Sequence, residues 1–198
     1  MSNNLITELR KITGAGIVDC KNALKKSDNN IEKACKWLRE NNIIVSIKKS
    51  SRSTKSGIIY SYIHSGDTLG VLVEINCETD FVARTDEFKF LAKEISMQIA
   101  ALSPTYVSRD QIPSAVLESE KSVYESQLIK SNKPKDIVDK IICGKIEKFY
   151  NQVCLYDQIY IRDLNGSTTI KDLILDTIAK LNENIIVNRF VRFKIGEE

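Results

Sequence analysis

The stretch LGVLVEINC, residues 69–77, decides the fold of the larger part of this chain. Every second position in it is apolar, and a period of two is typical of a strand with one buried face. A β-branched and aromatic run at 58–63 precedes it. The residues between the two runs, His64-Ser65-Gly66-Asp67, are typical of a turn. The two runs therefore predict a β-hairpin.

Amphipathic helices are predicted downstream of the hairpin. Apolar residues recur at helical spacing from 88 to 102, and Ser103-Pro104 ends this pattern. Three more helices are predicted, at about 114–130, 135–150 and 170–181. A third strand is predicted near the C-terminus, where the alternating apolar positions are Val187, Val191, Phe193 and Ile195. Two residues, Arg189 and Phe190, interrupt its pattern. A hairpin, helices and a returning strand predict the α+β class, with a three-stranded antiparallel sheet covered by helices.

The N-terminal part of the chain predicts a different unit. Apolar residues at helical spacing indicate three short helices within residues 1–45. Residues 46–56 contain four basic residues, five serines and no acid, which is typical of a flexible polar linker. The predicted organisation is a three-helix bundle at 1–45, a linker at 46–56 and the α+β domain at 57–198.

Charge is distributed unevenly between these parts. Residues 1–55 carry 12 basic and 5 acidic side chains, whereas the remainder carries 17 and 21. A basic bundle beside a basic linker is compatible with contacts to nucleic acid phosphates. One function that the sequence leaves open is therefore a basic RNA-binding or ribosome-associated module.

Several classes of site lack the residues that they require. The five cysteines form no Cys-x-x-Cys pair, and His64 is the only histidine, so neither a zinc site nor a histidine-based catalytic centre is expected. Glu78 and Asp80 are better explained as a solvated turn than as a catalytic pair. No apolar run is long enough for a membrane span. We expect no catalytic residues, no metal, no cofactor and no membrane association.

The junction after the second predicted strand contains the residue that is hardest to interpret. Phe81 lies in NCETDFVAR, residues 76–84, before the first amphipathic helix, which Thr85 is expected to cap. Composition alone favours a buried Phe81, because aromatic side chains usually contribute to cores. The alternative is an exposed aromatic anchor of the kind that dominates binding interfaces.

Two motifs give the sequence a specific resemblance. TGAGIVDCKNAL, residues 13–24, resembles the opening signature of the elongation factor Ts family, and residues 76–84 resemble its second signature. Further similarity runs through 98–101, 133–135, 144–149 and 189–197, so that it covers essentially the whole chain in order. The resemblance implies a guanine-nucleotide exchange factor that binds elongation factor Tu in its GDP-bound and nucleotide-free forms.

The resemblance also implies roles for particular residues. The turn that displaces Mg²⁺ from the partner GTPase, and so promotes GDP release, corresponds here to Thr79, Asp80, Phe81 and Val82. The residues of the bundle that contact the partner correspond to Thr13, Gly14, Gly16, Ile17, Val18, Asp19 and Lys21. The implied interaction is with a protein and involves no direct contact with nucleic acid.

The length of the chain indicates a short form of this family. At 198 residues it has room for one sheet subdomain, whereas longer bacterial members carry a duplicated core and a coiled-coil hairpin. Short members can replace the missing half by forming a homodimer, which is therefore an expected assembly. The expected location is a bacterial-type cytoplasm, with a plastid stroma as the alternative.

Overall fold

The three predicted strands form one sheet. The structure is a computed structural model that describes residues 3–13, 17–38, 40, 52–128 and 134–197. Its strands are β1 (Ser56–Ile63), β2 (Leu69–Cys77) and β3 (Ile185–Lys194), in the order β1-β2-β3. They are antiparallel and are accompanied by helices, which confirms the α+β prediction.

The hairpin between β1 and β2 follows the turn chemistry of the sequence. The backbone N–H of His64 donates to the carbonyl oxygen of Leu69 at 2.8 Å, which closes the loop. Gly66 and Asp67 adopt positive φ angles of 96° and 56° within it. Glycine and aspartate tolerate such angles better than other residues, so they favour this turn.

Gly57 allows β1 to approach β2 closely. A Cβ atom at this position would lie 2.2 Å from the carbonyl oxygen of Ile75, which is closer than van der Waals contact permits. Any larger residue would force the two strands apart. The pairing of β1 with β2 at this point therefore requires glycine.

The N-terminal helices are α1 (Asn3–Thr13), α2 (Ile17–Lys26) and α3 (31–38). Asn30 caps α3, because its side-chain oxygen accepts a hydrogen bond from the N–H of Lys33 at 2.9 Å. The buried core of these helices consists of Leu9, Cys20, Ala23, Leu24, Ala34 and Leu38. The predicted helices are present within the described residues. Gly14, Gly16, residues 41–45 of the predicted bundle and residues 46–51 of the predicted linker lie outside the described residues.

Five further helices lie within the described residues from 52 onward. They are α4 (Asp80–Ala83), α5 (Asp86–Leu102), α6 (Ser114–Leu128), α7 (Lys135–Val153) and α8 (Ile170–Leu181). Short 3₁₀ turns at Arg109–Gln111 and Leu155–Asp157 lie between them. The helices α6 and α7 pack against each other. Among the described residues, no helix is both long and apolar enough to cross a bilayer.

The chain divides into two compact units. The first comprises Met1–Ile59, Glu74–Ala92 and Asp172–Ile186, and the second comprises Tyr60–Val73, Lys93–Lys171 and Val187–Glu198. The apolar core of the first contains Ile75, Phe88, Leu91, Ile174, Ile178 and Ile185. That of the second contains Val71, Val73, Ile95, Ile99, Leu155 and Ile170. Each core therefore combines residues from the sheet and from helices.

The side chains of β3 do not follow a single alternation. Ile185 and Val187 are buried, but Val191 and Phe193, two positions of the same predicted series, are exposed. The phase changes because Asn188 and the residue after it are both exposed. A shift of one residue turns every later side chain to the opposite face. The prediction of a strand is confirmed, and the change of phase falls beside Arg189 and Phe190, which interrupt the alternation in the sequence.

Candidate functional site

Phe81 is an exposed residue of a one-turn helix. Its side chain is 80% exposed, so the interpretation of Phe81 as a core residue is wrong. Helix α4 directs Ala83 inward, where it is buried, and leaves the Phe81 ring in solvent. The structure therefore leaves this aromatic ring accessible from solvent.

Thr79 forms the N-cap of this helix. Its backbone is extended, with φ −126° and ψ 157°, and its Oγ1 accepts a hydrogen bond from the N–H of Val82 at 3.4 Å. The Thr79 carbonyl oxygen accepts hydrogen bonds from the N–H of Ala83 at 3.3 Å and the thiol of Cys77 at 3.1 Å. Thr79 therefore links the end of β2 to the start of α4.

A carboxylate from a distant part of the chain also binds Thr79. The backbone N–H of Thr79 donates to Oε2 of Glu183 at 3.0 Å, and its hydroxyl donates to Oε1 at 2.7 Å. Glu183 lies in the loop between α8 and β3. Sequence reasoning missed this residue, because nothing in the local pattern links it to a motif that lies more than a hundred positions earlier.

A second contact joins the same two loops in the opposite direction. Oε1 of Glu78 accepts a hydrogen bond from the backbone N–H of Asn184 at 2.7 Å. The guanidinium of Arg52 lies 3.6 Å from the same oxygen of Glu78. The backbone carbonyl oxygen of Arg52 accepts a hydrogen bond from the side-chain amide of Asn184 at 2.8 Å. Glu78 thus has a structural role in holding the loops together.

The remaining acid of the motif is at the surface. Asp80 forms an ion pair with Arg84 at 2.9 Å, and both side chains are largely exposed. Such pairs usually contribute only about 0–1 kcal/mol to stability. Asp80 also lies in the first turn of α4, where a negative charge interacts favourably with the helix dipole.

Cys77 lies buried beneath the motif. Burial, followed by the negative charge of Glu183, raises the pKa of the Cys77 thiol to about 11. The thiol therefore stays protonated at neutral pH and can donate its hydrogen bond to Thr79. This arrangement is typical of a structural cysteine rather than a reactive one.

Helix α5 begins as the sequence predicts. Oγ1 of Thr85 accepts a hydrogen bond from the N–H of Phe88 at 3.3 Å, so Thr85 caps the helix. Asp86 and Glu87 occupy the first turn. Because Phe88 is completely buried, the start of α5 is fixed directly behind the motif.

The N-terminal helices carry a separate apolar surface. Ile17 and Val18 are 57% and 69% exposed at the start of α2, and Ile12 is exposed near the end of α1. Asp19 and Lys21 are exposed beside them, while Thr13 is half-buried and donates its hydroxyl to the carbonyl oxygen of Leu9 at 2.7 Å. The predicted contact residues that are described thus lie at or near the surface.

The polar residues of the motif that the structure describes are engaged in contacts within the chain. Glu78 and Asp80 are engaged in structural contacts, and His64 accompanies Tyr62 at the tip of the hairpin, 2.9 Å from its hydroxyl. No group of three or more potential metal ligands is close together within the described ranges. What the motif offers to solvent is an aromatic ring on a fixed backbone.

The chain is similar to curated proteins along its full length. A family model described as elongation factor TS matches residues 4–197. The elongation factor Ts of Thermoanaerobacter sp. (strain X514) is 52% identical over 197 residues, covering 100% of this chain and 96% of the relative. That of Thermotoga maritima is 51% identical over 197 residues, covering 100% and 97%. The chain therefore belongs to the elongation factor Ts family, and it is a translation elongation factor.

Proposed function

We propose that this protein is a guanine-nucleotide exchange factor for elongation factor Tu. It binds the GDP-bound form, displaces Mg²⁺ and promotes GDP release, so that GTP can bind. The observation that carries the proposal is the exposed ring of Phe81 within a motif of the family. Thr79, Asp80, Phe81 and Val82 form the segment that enters the partner. An exchange factor of this kind needs no catalytic chemistry of its own.

A comparison of free energies limits how much of GDP release Phe81 can account for. Binding of a nucleotide at nanomolar affinity corresponds to about 12 kcal/mol. Burial of one phenylalanine provides only about 1.5–3 kcal/mol. Phe81 therefore acts as a wedge, and a broader interface supplies most of the preference for the nucleotide-free partner. Because coupling between two ligands is reciprocal, that preference is what weakens GDP binding.

The N-terminal helices are the proposed source of that broader interface. We assign partner contacts to Thr13, Gly14, Gly16, Ile17, Val18, Asp19 and Lys21, and the exposure of Ile17 and Val18 supports this assignment. We also propose that residues 1–45 act as a docking bundle, connected by a flexible linker at 46–56 to the domain at 57–198. Two separate contact regions would allow docking to precede insertion of Phe81.

A homodimer is a second proposal, and the outer face of the sheet supports it. Ile63, Leu72, Val191 and Phe193 are exposed apolar residues that come from all three strands. Val71 and Val73, whose side chains point to the other face, are buried. We propose a second copy of this chain as the occupant of the exposed face, in place of the duplicated core of longer family members.

The test of the main proposal is GDP release from purified elongation factor Tu of the same source. A fluorescent GDP analogue is bound to the GTPase and chased with excess GDP, with and without this protein. We expect acceleration that saturates with protein concentration. If release is not accelerated, the proposal is wrong.

The rival function predicts a different result. A basic RNA-binding or ribosome-associated module would bind RNA with strong salt dependence and would leave nucleotide release unchanged. An RNA-binding titration at two salt concentrations, run beside the release assay, separates the two functions. For the exchange factor, the expected site of action is wherever elongation factor Tu acts, in a bacterial cytoplasm or a plastid stroma.

A further inference from the structure

We infer, on the basis of the proposed exchange function, that Glu183 is a positioning residue for Phe81. Its carboxylate fixes Thr79 through two hydrogen bonds and thereby fixes the direction in which α4 presents the ring. Glu183 does this without entering the partner itself.

Helix α4 cannot maintain its orientation alone. It contains four residues, Asp80–Ala83, and a single helical turn is unstable in isolation because nucleation fixes several dihedral angles for one hydrogen bond. Its surface ion pair adds little. Stability must therefore come from contacts made by the residues at its ends.

The contacts of Thr79 meet this need. Its N–H and hydroxyl both donate to Glu183, its hydroxyl oxygen accepts from Val82, and its carbonyl oxygen accepts from Ala83 and Cys77. Glu183 supplies the only charged partner in this set. Hydrogen bonds to a charged group are stronger than those between neutral groups. The carboxylate is thus the principal anchor of the N-cap.

Glu183 is itself held by rigid elements on both sides. Helix α8 ends just before it, where Asn182 adopts a left-handed φ of 62° and donates its N–H to the carbonyl oxygen of Ile178 at 2.9 Å. Asn184 and Ile185, which follow, are both 2% exposed. The reciprocal hydrogen bond from Asn184 to Glu78 closes the arrangement. The backbone that carries the Glu183 side chain therefore has little conformational freedom.

Fixing α4 before binding favours insertion of the ring. A flexible segment loses conformational freedom when it binds, and this loss opposes association. With Glu183 in place, most of that freedom is lost during folding. Removal of Glu183 is therefore expected to slow exchange through Phe81, although Phe81 itself is unchanged.

The first measurement is the second-order rate constant for protein-stimulated GDP release. We expect Glu183→Ala to lower it about tenfold, and Glu183→Gln to lower it less, because an amide oxygen still accepts one hydrogen bond. The matched control is Glu87→Gln, which removes a neighbouring exposed charge that pairs with Lys180 and does not contact Thr79. We expect less than a twofold change for this control.

A double-mutant cycle separates positioning from general destabilisation. If Glu183 acts through the ring, its replacement should have less than a twofold effect in a Phe81→Ala background. The inference is overturned if replacing Glu183 lowers the rate constant by the same factor with Phe81 and with Phe81→Ala. It is also overturned if the wild-type protein is active and Glu183→Ala is equally active. Failure of the wild-type protein to stimulate release overturns the proposed function instead.

Amide hydrogen exchange provides a readout that does not depend on the partner. The Thr79 amide donates directly to Glu183, so its protection should fall at least tenfold in Glu183→Ala, fall by a smaller factor in Glu183→Gln and remain unchanged in Glu87→Gln. Unchanged protection in the Glu183 variants contradicts the inference. If Glu183→Ala does not fold, Glu183→Gln serves for both the cycle and the exchange measurement, because it keeps the size of the side chain.

Discussion

At the scale of single residues, the exposure of Phe81 separates its contribution to stability from its proposed contribution to binding. The ring is 80% exposed, so its removal should change the free energy of unfolding by only about 0.5 kcal/mol or less. The same ring, if buried in the partner, contributes about 1.5–3 kcal/mol, which corresponds to roughly 10- to 150-fold in rate. Stability and exchange should therefore respond very differently to one substitution.

We expect Phe81→Ala to reduce the second-order rate constant of GDP release at least tenfold while leaving thermal unfolding unchanged. Stopped-flow fluorescence and circular dichroism measure the two quantities. Phe90→Ala is the matched control, since Phe90 is also exposed, at 55%, but lies outside the motif on α5. Equal losses in both variants would contradict a specific role for Phe81.

Two buried thiols should make the free energy of unfolding depend on pH under alkaline conditions. Burial is the main cause that raises the pKa values of Cys77 and Cys154 to about 11 from the ordinary value of 9.0. The unfolded chain therefore loses these protons at lower pH than the folded chain does. Since the unfolded state then binds fewer protons, the free energy of unfolding must fall as pH rises between these values.

We expect urea denaturation to show falling stability from about pH 9 to pH 11 in reducing buffer. The comparison variant is Cys77→Ser with Cys154→Ser, which should show a flatter dependence over the same interval. An equally steep decline in that variant would assign the effect to other groups, such as Tyr160, whose pKa burial and Glu94 raise to about 12.

At the scale of elements, two glycines have opposite roles. Gly57 lies where β1 approaches β2, and a Cβ there would meet the Ile75 carbonyl oxygen at 2.2 Å. Gly144 lies within α7, where a Cβ would meet nothing within 4 Å. The two positions form a matched pair for the same substitution.

We expect Gly57→Ala to lower the free energy of unfolding by about 2 kcal/mol or more, because the backbone must shift. Gly144→Ala should raise it by about 0.5–1 kcal/mol, since alanine loses less conformational freedom in a helix interior. Chemical denaturation measures both. A neutral Gly57→Ala would mean that β1 can move away from β2 without loss.

At the scale of the whole molecule, the outer face of the sheet determines the expected assembly. Phe193 is 67% exposed on β3, next in that series to the exposed Val191. Contiguous exposed apolar surface is unusual on a monomer and typical of an interface. A second copy covering this face would bury it.

We expect sedimentation equilibrium to detect a dimer and Phe193→Glu to weaken it by at least tenfold in dissociation constant. The substitution should weaken the dimer because it would bury an unpaired carboxylate in an apolar interface, and removing such a group from water is costly. Lys194→Glu, a change at the neighbouring exposed position, is the control for charge. A wild-type protein that stays monomeric at high concentration would contradict the dimer.

Much of this protein could be predicted from local patterns. The period of two in β2 and the helical spacing in α5 identified their elements, because side-chain periodicity directly reflects backbone geometry. The turn residues of the hairpin and the Thr85 cap were also predictable, since short-range hydrogen bonds depend on adjacent residues. The family followed from two motifs of sufficient length.

Only the tertiary structure decided which side chains are buried and which distant segments are in contact. Composition favoured burial of Phe81, but burial depends on which face of α4 meets the core, and Ala83 occupies that face. The sequence shows that the alternation of β3 is interrupted, but only the structure shows which side chains are buried before and after the interruption. The contact of Glu183 with Thr79 joins segments far apart in the chain. Such contacts follow from how elements pack, and sequence spacing carries no signal for them.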